Sequence, residues 1–228
     1  MNRAEEIAHN LQVIQEEISK VADSVGRSLD EITLIAVTKN FPASDAQILY
    51  ELGIRNMGEN RDEEGALKSE ELPSDIFWHF QGQIQSRKIK SIASWADNVH
   101  SLDSLSHAEK FRTVLADKPM KFFIQVNLEP QREDRGGVAP DQIEPFLEQL
   151  LALGEIKPVG LMTVAPIDQD PRAAFEMVRT LKERLQQIYP TITELSMGMS
   201  GDYKEAIYAG ATHIRIGSSI LGSRGYPA

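Results

Sequence analysis

Three stretches of the sequence carry side chains that could do chemistry together. The first is Lys39, which ends the apolar run Ile32-Thr33-Leu34-Ile35-Ala36-Val37-Thr38 and is followed by a turn at Asn40-Phe41-Pro42. A run this apolar reads as a parallel-sheet strand covered on both faces. A lysine at its C-terminal end stands where α/β folds place their reacting groups, and its amine can form an imine with an aldehyde. Taken alone, the stretch reads more simply as a strand that ends in a solvated lysine.

The second and third stretches change that reading. Ser196-Met197-Gly198-Met199-Ser200-Gly201-Asp202 leads from a short strand into a helix, and Ile216-Gly217-Ser218-Ser219 leaves the last strand in a similar way. Ser200 offers a hydroxyl beside helix N-terminal amides, and Gly217 lets backbone amides approach a ligand closely at Ser218. Such loops are ordinary turns when they occur singly. After the seventh and eighth strands of a barrel they form a phosphate site. Arg215, one residue inside the last strand, would bring positive charge there, although a structural ion pair is its commoner use. His213 shares that strand face further from the ligand end and reads as structural, and His79 reads as a core histidine at least as readily as a catalytic one.

The elements that must position these groups can be read from periodicity. A helix built on Ile7, Leu11, Ile14, Ile18, Val21 and Val25 is stopped by Gly26. Strands are then expected at 32–38, 54–58, 75–80, 98–100, 120–126, 156–162, 192–195 and 212–216. Helices are expected at 44–52, 60–71, 84–95, 104–116, 141–153, 171–188 and 202–209. This alternation gives a (β/α)8 TIM barrel with an extra N-terminal helix, an open doubly wound sheet being the alternative. No linker or composition shift divides the chain, so residues 1–228 are expected to be a single domain. The expected strand ends collect polar residues: Lys39, Glu59, Asn60, His79, Gln81, Gln83, Ser101, Asp103, Asn127, Thr163, Ser200 and Arg215.

Composition narrows the function classes. With 24 Lys+Arg against 34 Asp+Glu, the net charge of −10 disfavours nucleic acid and anionic membrane surfaces as partners. There is no cysteine, hence no disulfide and no thiolate chemistry. His9, His100 and His107 show no metal-ligand spacing, so no metal is expected. No signal-peptide core or membrane-length apolar run is present, and a cytoplasmic location is expected.

The motifs Ala36-Val37-Thr38-Lys39, Gly58-Glu59-Asn60, His79-Phe80-Gln81-Gly82, Gly160-Leu161-Met162-Thr163, Leu195-Ser196-Met197-Gly198-Met199-Ser200 and Ile214-Arg215-Ile216-Gly217 together resemble the pyridoxal-phosphate homeostasis protein family. The resemblance runs from about Ile32 to Gly222. It implies the barrel half of the alanine racemase class, with pyridoxal 5'-phosphate held on Lys39 as an internal aldimine. Ser200, Gly217 and Ser218 would cradle the phosphate, Arg215 would face the pyridine nitrogen and Asn60 would lie beside the ring. It implies a carrier acting in vitamin B6 and amino-acid/keto-acid balance, with no catalytic residues and no established turnover. The alternative within the same chemistry is a pyridoxal-phosphate-dependent racemase or lyase, and outside it a Schiff-base aldolase. The racemases' second-face tyrosine comes from the partner subunit's second domain, which is expected to be missing here, and Tyr203 reads as structural. Expected partners are the cofactor and pyridoxal-phosphate-dependent apo-enzymes as its recipients, and the expected state is a monomer. Arg61, Arg87 and Arg135 depart from the family pattern and are expected at the rim.

Overall fold

Ile7, Leu11, Ile14, Ile18 and Val21 are all buried along one face of the first helix, α1 (Arg3–Ser24). The helix starts where Asn2 accepts from the Glu5 amide while the Glu5 carboxylate reaches back to the Asn2 amide, a reciprocal cap that satisfies two orphan donors. The computed structural model describes residues 2–115, 119–132 and 135–222.

After α1 the chain alternates strand and helix. β1 (Thr33–Val37) leads to α2 (Ala43–Glu51), β2 (Asn56–Glu59) to α3 (Asp62–Glu71), β3 (Phe77–Phe80) to α4 (Ile89–Trp95) and β4 (Asn98–Leu102) to α5 (Leu105–Leu115). The second half continues with β5 (Lys121–Val126), α6 (Ile143–Ala152), β6 (Pro158–Thr163), α7 (Pro171–Ile188), β7 (Glu194–Met199), α8 (Tyr203–Tyr208), β8 (His213–Ile216) and α9 (Ser218–Leu221). The eight strands are parallel and close into a barrel in chain order. β1 completes the ring against β8, Ile35 lying opposite Arg215. Closure rules out the open sheet.

The expected elements shift where tertiary contacts outweigh local pattern. The α3 helix begins at Asp62 rather than residue 60, because the Asn60 backbone is pressed against Gly82, where a Cβ would stand 1.9 Å from the Asn60 carbonyl oxygen. α4 begins only at Ile89, a turn occupying the residues before it. β7 runs to Met199, so Ser196, Met197 and Gly198 are buried strand residues rather than loop. α9 was not expected at all. The end expected for α5 at Ala116 lies outside the described residues.

Candidate functional site

All six expected site residues (Lys39, Asn60, Ser200, Arg215, Gly217 and Ser218) line one cavity of about 690 Å³ at the C-terminal ends of the strands. Gln81 and Arg61 line it too. Among the described lining residues there are three cationic groups and no Asp, Glu, His, Tyr or Cys.

The end of β1 is braced from beneath. Lys68, buried on α3, donates to the Thr38 carbonyl at 2.8 Å and to Glu59 Oε1 at 2.5 Å, and Thr38 Oγ1 donates to the same oxygen at 2.6 Å. Burial pushes the Glu59 carboxyl up, and Lys68 pulls it back down. The chain then turns through Asn40, a left-handed residue at φ 64°, whose amide donates to Glu64 at 2.7 Å. Lys39, between this brace and this turn, is exposed and has no hydrogen bond or ion pair among the described residues.

Arg215 is only 5% exposed, yet no carboxylate lies within hydrogen-bonding reach among the described residues. It donates to Ser196 Oγ at 2.8 Å and to the Thr163 carbonyl at 2.9 Å, which fixes its plane against the cavity floor. Burial lowers its pKa to about 10, partly offset by the charge of Asp202, so it stays cationic at neutral pH. A buried cation met only by neutral oxygens favours an acceptor or anion in the cavity.

The anion side is built by β7, β8 and α9. The ladder between β7 and β8 shifts register between Ser196 and Met199, and Gly198 sits at φ 91°. A Cβ there would stand 2.5 Å from Ala206 Cβ, so only glycine lets this bend pack on α8. Met199 N donates to Asp202 at 2.6 Å and closes the turn that presents Ser200. The amides of Gly217 and Ser219 each lie 3.4 Å from Ser200 Oγ, long contacts that leave both donors available to a stronger acceptor. α1 holds α9 in place, Arg3 donating to the Leu221 carbonyl at 2.9 Å and Asn10 to that of Ile220 at 3.0 Å.

Other polar strand-end residues support loops instead. Ser101 Oγ donates to the Gly82 carbonyl at 2.5 Å, Asp103 accepts from Gly137 N at 3.0 Å, and Asn127 donates to the Arg135 carbonyl at 3.1 Å. His79 and His100 are buried inside the barrel and bonded to each other at 2.9 Å, with Phe123 stacked on His100 and His213 packed beside them. Tyr203 donates to Glu17 on α1 and lies outside the main cavity. Of the rim arginines only Arg61 reaches the cavity, where it pairs with Glu64 at 3.1 Å. Arg135 turns to Glu129 at 3.3 Å, and Arg87 bonds Gln85 at 3.3 Å.

On one cavity, an amine without a partner among the described residues, a serine hydroxyl loosely engaged by two amides and a buried guanidinium fit a phosphorylated carbonyl compound such as pyridoxal phosphate. The sequence matches the alanine racemase N-terminal domain over residues 3–225. A pyridoxal phosphate homeostasis protein of Mycobacterium leprae is 33% identical over 242 residues, covering 97% of this chain and 94% of the relative. One from Schizosaccharomyces pombe is 35% identical over 223 residues, covering 94% and 91%. The solved structure of PipY from Synechococcus elongatus with pyridoxal phosphate bound is 34% identical, with a TM-score of 0.82 over 95% of this chain and 100% of that one. Within the alanine racemase N-terminal domain class, this chain belongs to the pyridoxal phosphate homeostasis protein family.

Proposed function

We propose that this protein binds pyridoxal 5'-phosphate as a Schiff base on Lys39 and holds it in the cytoplasm for vitamin B6 and amino-acid/keto-acid balance, without catalytic turnover. The observation that carries this reading is the shared cavity: Lys39, which has no partner among the described residues, Ser200, Gly217 and buried Arg215 all line it, and the Gly217 and Ser219 amides meet at Ser200 Oγ. The PipY structure, whose bound ligand is pyridoxal phosphate, supports the same choice of ligand.

Bound there, the group would supply an electron-withdrawing ring conjugated to the lysine imine. Ser200 and the β7 and β8 loops take the phosphate, and Asn60 flanks the ring. Arg215 donates to the ring nitrogen and disfavours its protonation, which leaves the ring a weaker electron sink than one paired with a carboxylate. Lys39 can serve one face of the ring. Among the described lining residues nothing with acid–base character of the Tyr, His, Asp, Glu or Cys type serves the other. Both features favour holding over turnover, with apo-enzymes as recipients of the cofactor.

The test is spectroscopic. Protein incubated with pyridoxal phosphate should show a visible absorption band that Lys39→Ala abolishes, and single-enantiomer amino acids in deuterated water should not exchange their Cα proton at enzyme-like rates. Rapid exchange would mean a racemase or lyase, and failure to take up pyridoxal phosphate would leave a lysine aldolase acting on a sugar phosphate.

A further inference from the structure

The inside of the barrel carries a row of polar side chains that its packing does not need. A barrel of this kind fills its interior with layers of branched apolar side chains. Here Ser196 on β7, His100 on β4 and His79 on β3 are buried, at 0%, 0% and 1% exposure, and Asn56 on β2 closes the row. Ser196 Oγ lies 2.8 Å from His100 Nδ1, His100 Nε2 2.9 Å from His79 Nδ1, and His79 Nε2 3.0 Å from Asn56 Oδ1. Burying such groups costs desolvation that apolar residues of similar volume would avoid. None of the four lines the ligand cavity. The row meets that cavity through Arg215, whose Nη1 donates to Ser196 Oγ at 2.8 Å.

What His100 does for Arg215 follows from the two acceptors of the guanidinium. One is the Thr163 carbonyl at 2.9 Å, a backbone oxygen fixed in β6. The other is the Ser196 hydroxyl, which can turn about its Cα–Cβ bond among three staggered wells. Ser196 Oγ has one proton, and with the guanidinium donating to the oxygen that proton goes to His100 Nδ1. The imidazole cannot drift with it. Phe123 stacks on His100 at 4.3 Å between ring centroids and 11° between planes, and His79 holds its other nitrogen. A locked ring therefore selects the Ser196 rotamer, and that rotamer selects the direction of Arg215.

We propose that His100 is a positioning residue for the cofactor site: through Ser196 it fixes the aim of Arg215 at the ring nitrogen of bound pyridoxal phosphate. This rests on the pyridoxal-phosphate reading above and extends the site to a group that does not touch the ligand. An imidazole that served the fold alone would change stability and leave the spectrum of the bound ligand where it was.

The test uses the full chain loaded with pyridoxal phosphate, with His100→Phe as the variant that keeps a ring on Phe123 and removes the acceptor. Its visible band should shift, and it should bind pyridoxal phosphate about fivefold more weakly than wild type, the scale of one neutral hydrogen bond. Introduced into Arg215→Gln, the same change should alter neither band nor affinity further, because it acts only through the guanidinium. An unmoved band in His100→Phe, or equal effects with and without Arg215, overturns the role of His100. Wild type that takes up no pyridoxal phosphate overturns the cofactor reading together with it. If the variant does not fold, the ring nitrogens of 15N-histidine-labelled wild type decide. Loading should shift those of buried His100 and leave those of exposed His9 in place, and an unmoved His100 overturns the proposal.

Discussion

Arg215 donates to Ser196 Oγ at 2.8 Å, and this one bond sets the direction of a chain that crosses the barrel interior. A guanidinium only donates, so the Ser196 proton goes to His100 Nδ1 at 2.8 Å. His100 then carries its proton on Nε2 and donates to His79 Nδ1 at 2.9 Å, and His79 Nε2 donates to Asn56 Oδ1 at 3.0 Å. Both imidazoles are neutral in this arrangement, and every member of the chain is satisfied.

Ser196→Ala cuts that chain at its most exacting point. It leaves an Arg215 donor and the His100 acceptor unpaired in the core, an expected cost of about 1–3 kcal/mol in chemical denaturation. The same variant should shift the visible band of the cofactor-loaded protein, because Arg215 loses one of its two fixed acceptors.

Buried neutral histidines make stability depend on pH. Burial, reinforced by nearby positive charge, holds His79 and His100 well below the usual 6.5 and lowers His213 to about 4. The unfolded chain takes up these protons as pH falls through about 6.5 while the folded chain does not, so their contribution is intact above that value and lost below it. Each histidine should remove roughly 2 kcal/mol of unfolding free energy between about pH 7.5 and about pH 5. Glu59, pushed up by burial, works in the opposite sense. Denaturation curves at the two pH values, compared with those of His100→Phe, check the sign and size.

Lys68→Met should be more harmful than its distance from the ligand implies. It leaves the buried Glu59 carboxyl without its cation and releases the Thr38 carbonyl beside Lys39. The expected loss is about 3–5 kcal/mol. Adding Glu59→Gln should recover part of it, and a double variant no better than the single one would contradict the pairing.

Ser200→Ala and Arg215→Gln probe the two ends of the ligand. The first should weaken cofactor retention by about 1.5–3 kcal/mol, the scale of a charge-assisted hydrogen bond, and leave the band in place. The second should move the band as well as weaken retention. Equilibrium dialysis with spectra of the retained fraction separates the two effects.

Much of this site was legible in the sequence because the signals were local. Lys39 ends an apolar run, Gly217 and Ser218 follow another, and Ser200 precedes a helix, so counting strands placed them together. The bounds of the elements were less legible where distant residues decided them. Ser196, Met197 and Gly198 look like loop chemistry, yet they form the end of β7 because Arg215 and His100 offer Ser196 buried partners. Asn60 looked like the first residue of a helix and is held out of it by the close approach of Gly82. His100 showed no metal-ligand spacing and nothing more, and its bond to Ser196 across the barrel is a property of three dimensions. Of the three arginines that depart from the family pattern, only Arg61 has a side chain on the cavity.

Borohydride reduction of the pyridoxal-phosphate-loaded protein, followed by peptide mass mapping, tests whether Lys39 carries the cofactor covalently. One phosphopyridoxyl group should appear, on Lys39, with loss of the visible band. Label on another lysine, or a band that survives in Lys39→Ala, would contradict covalent attachment at Lys39.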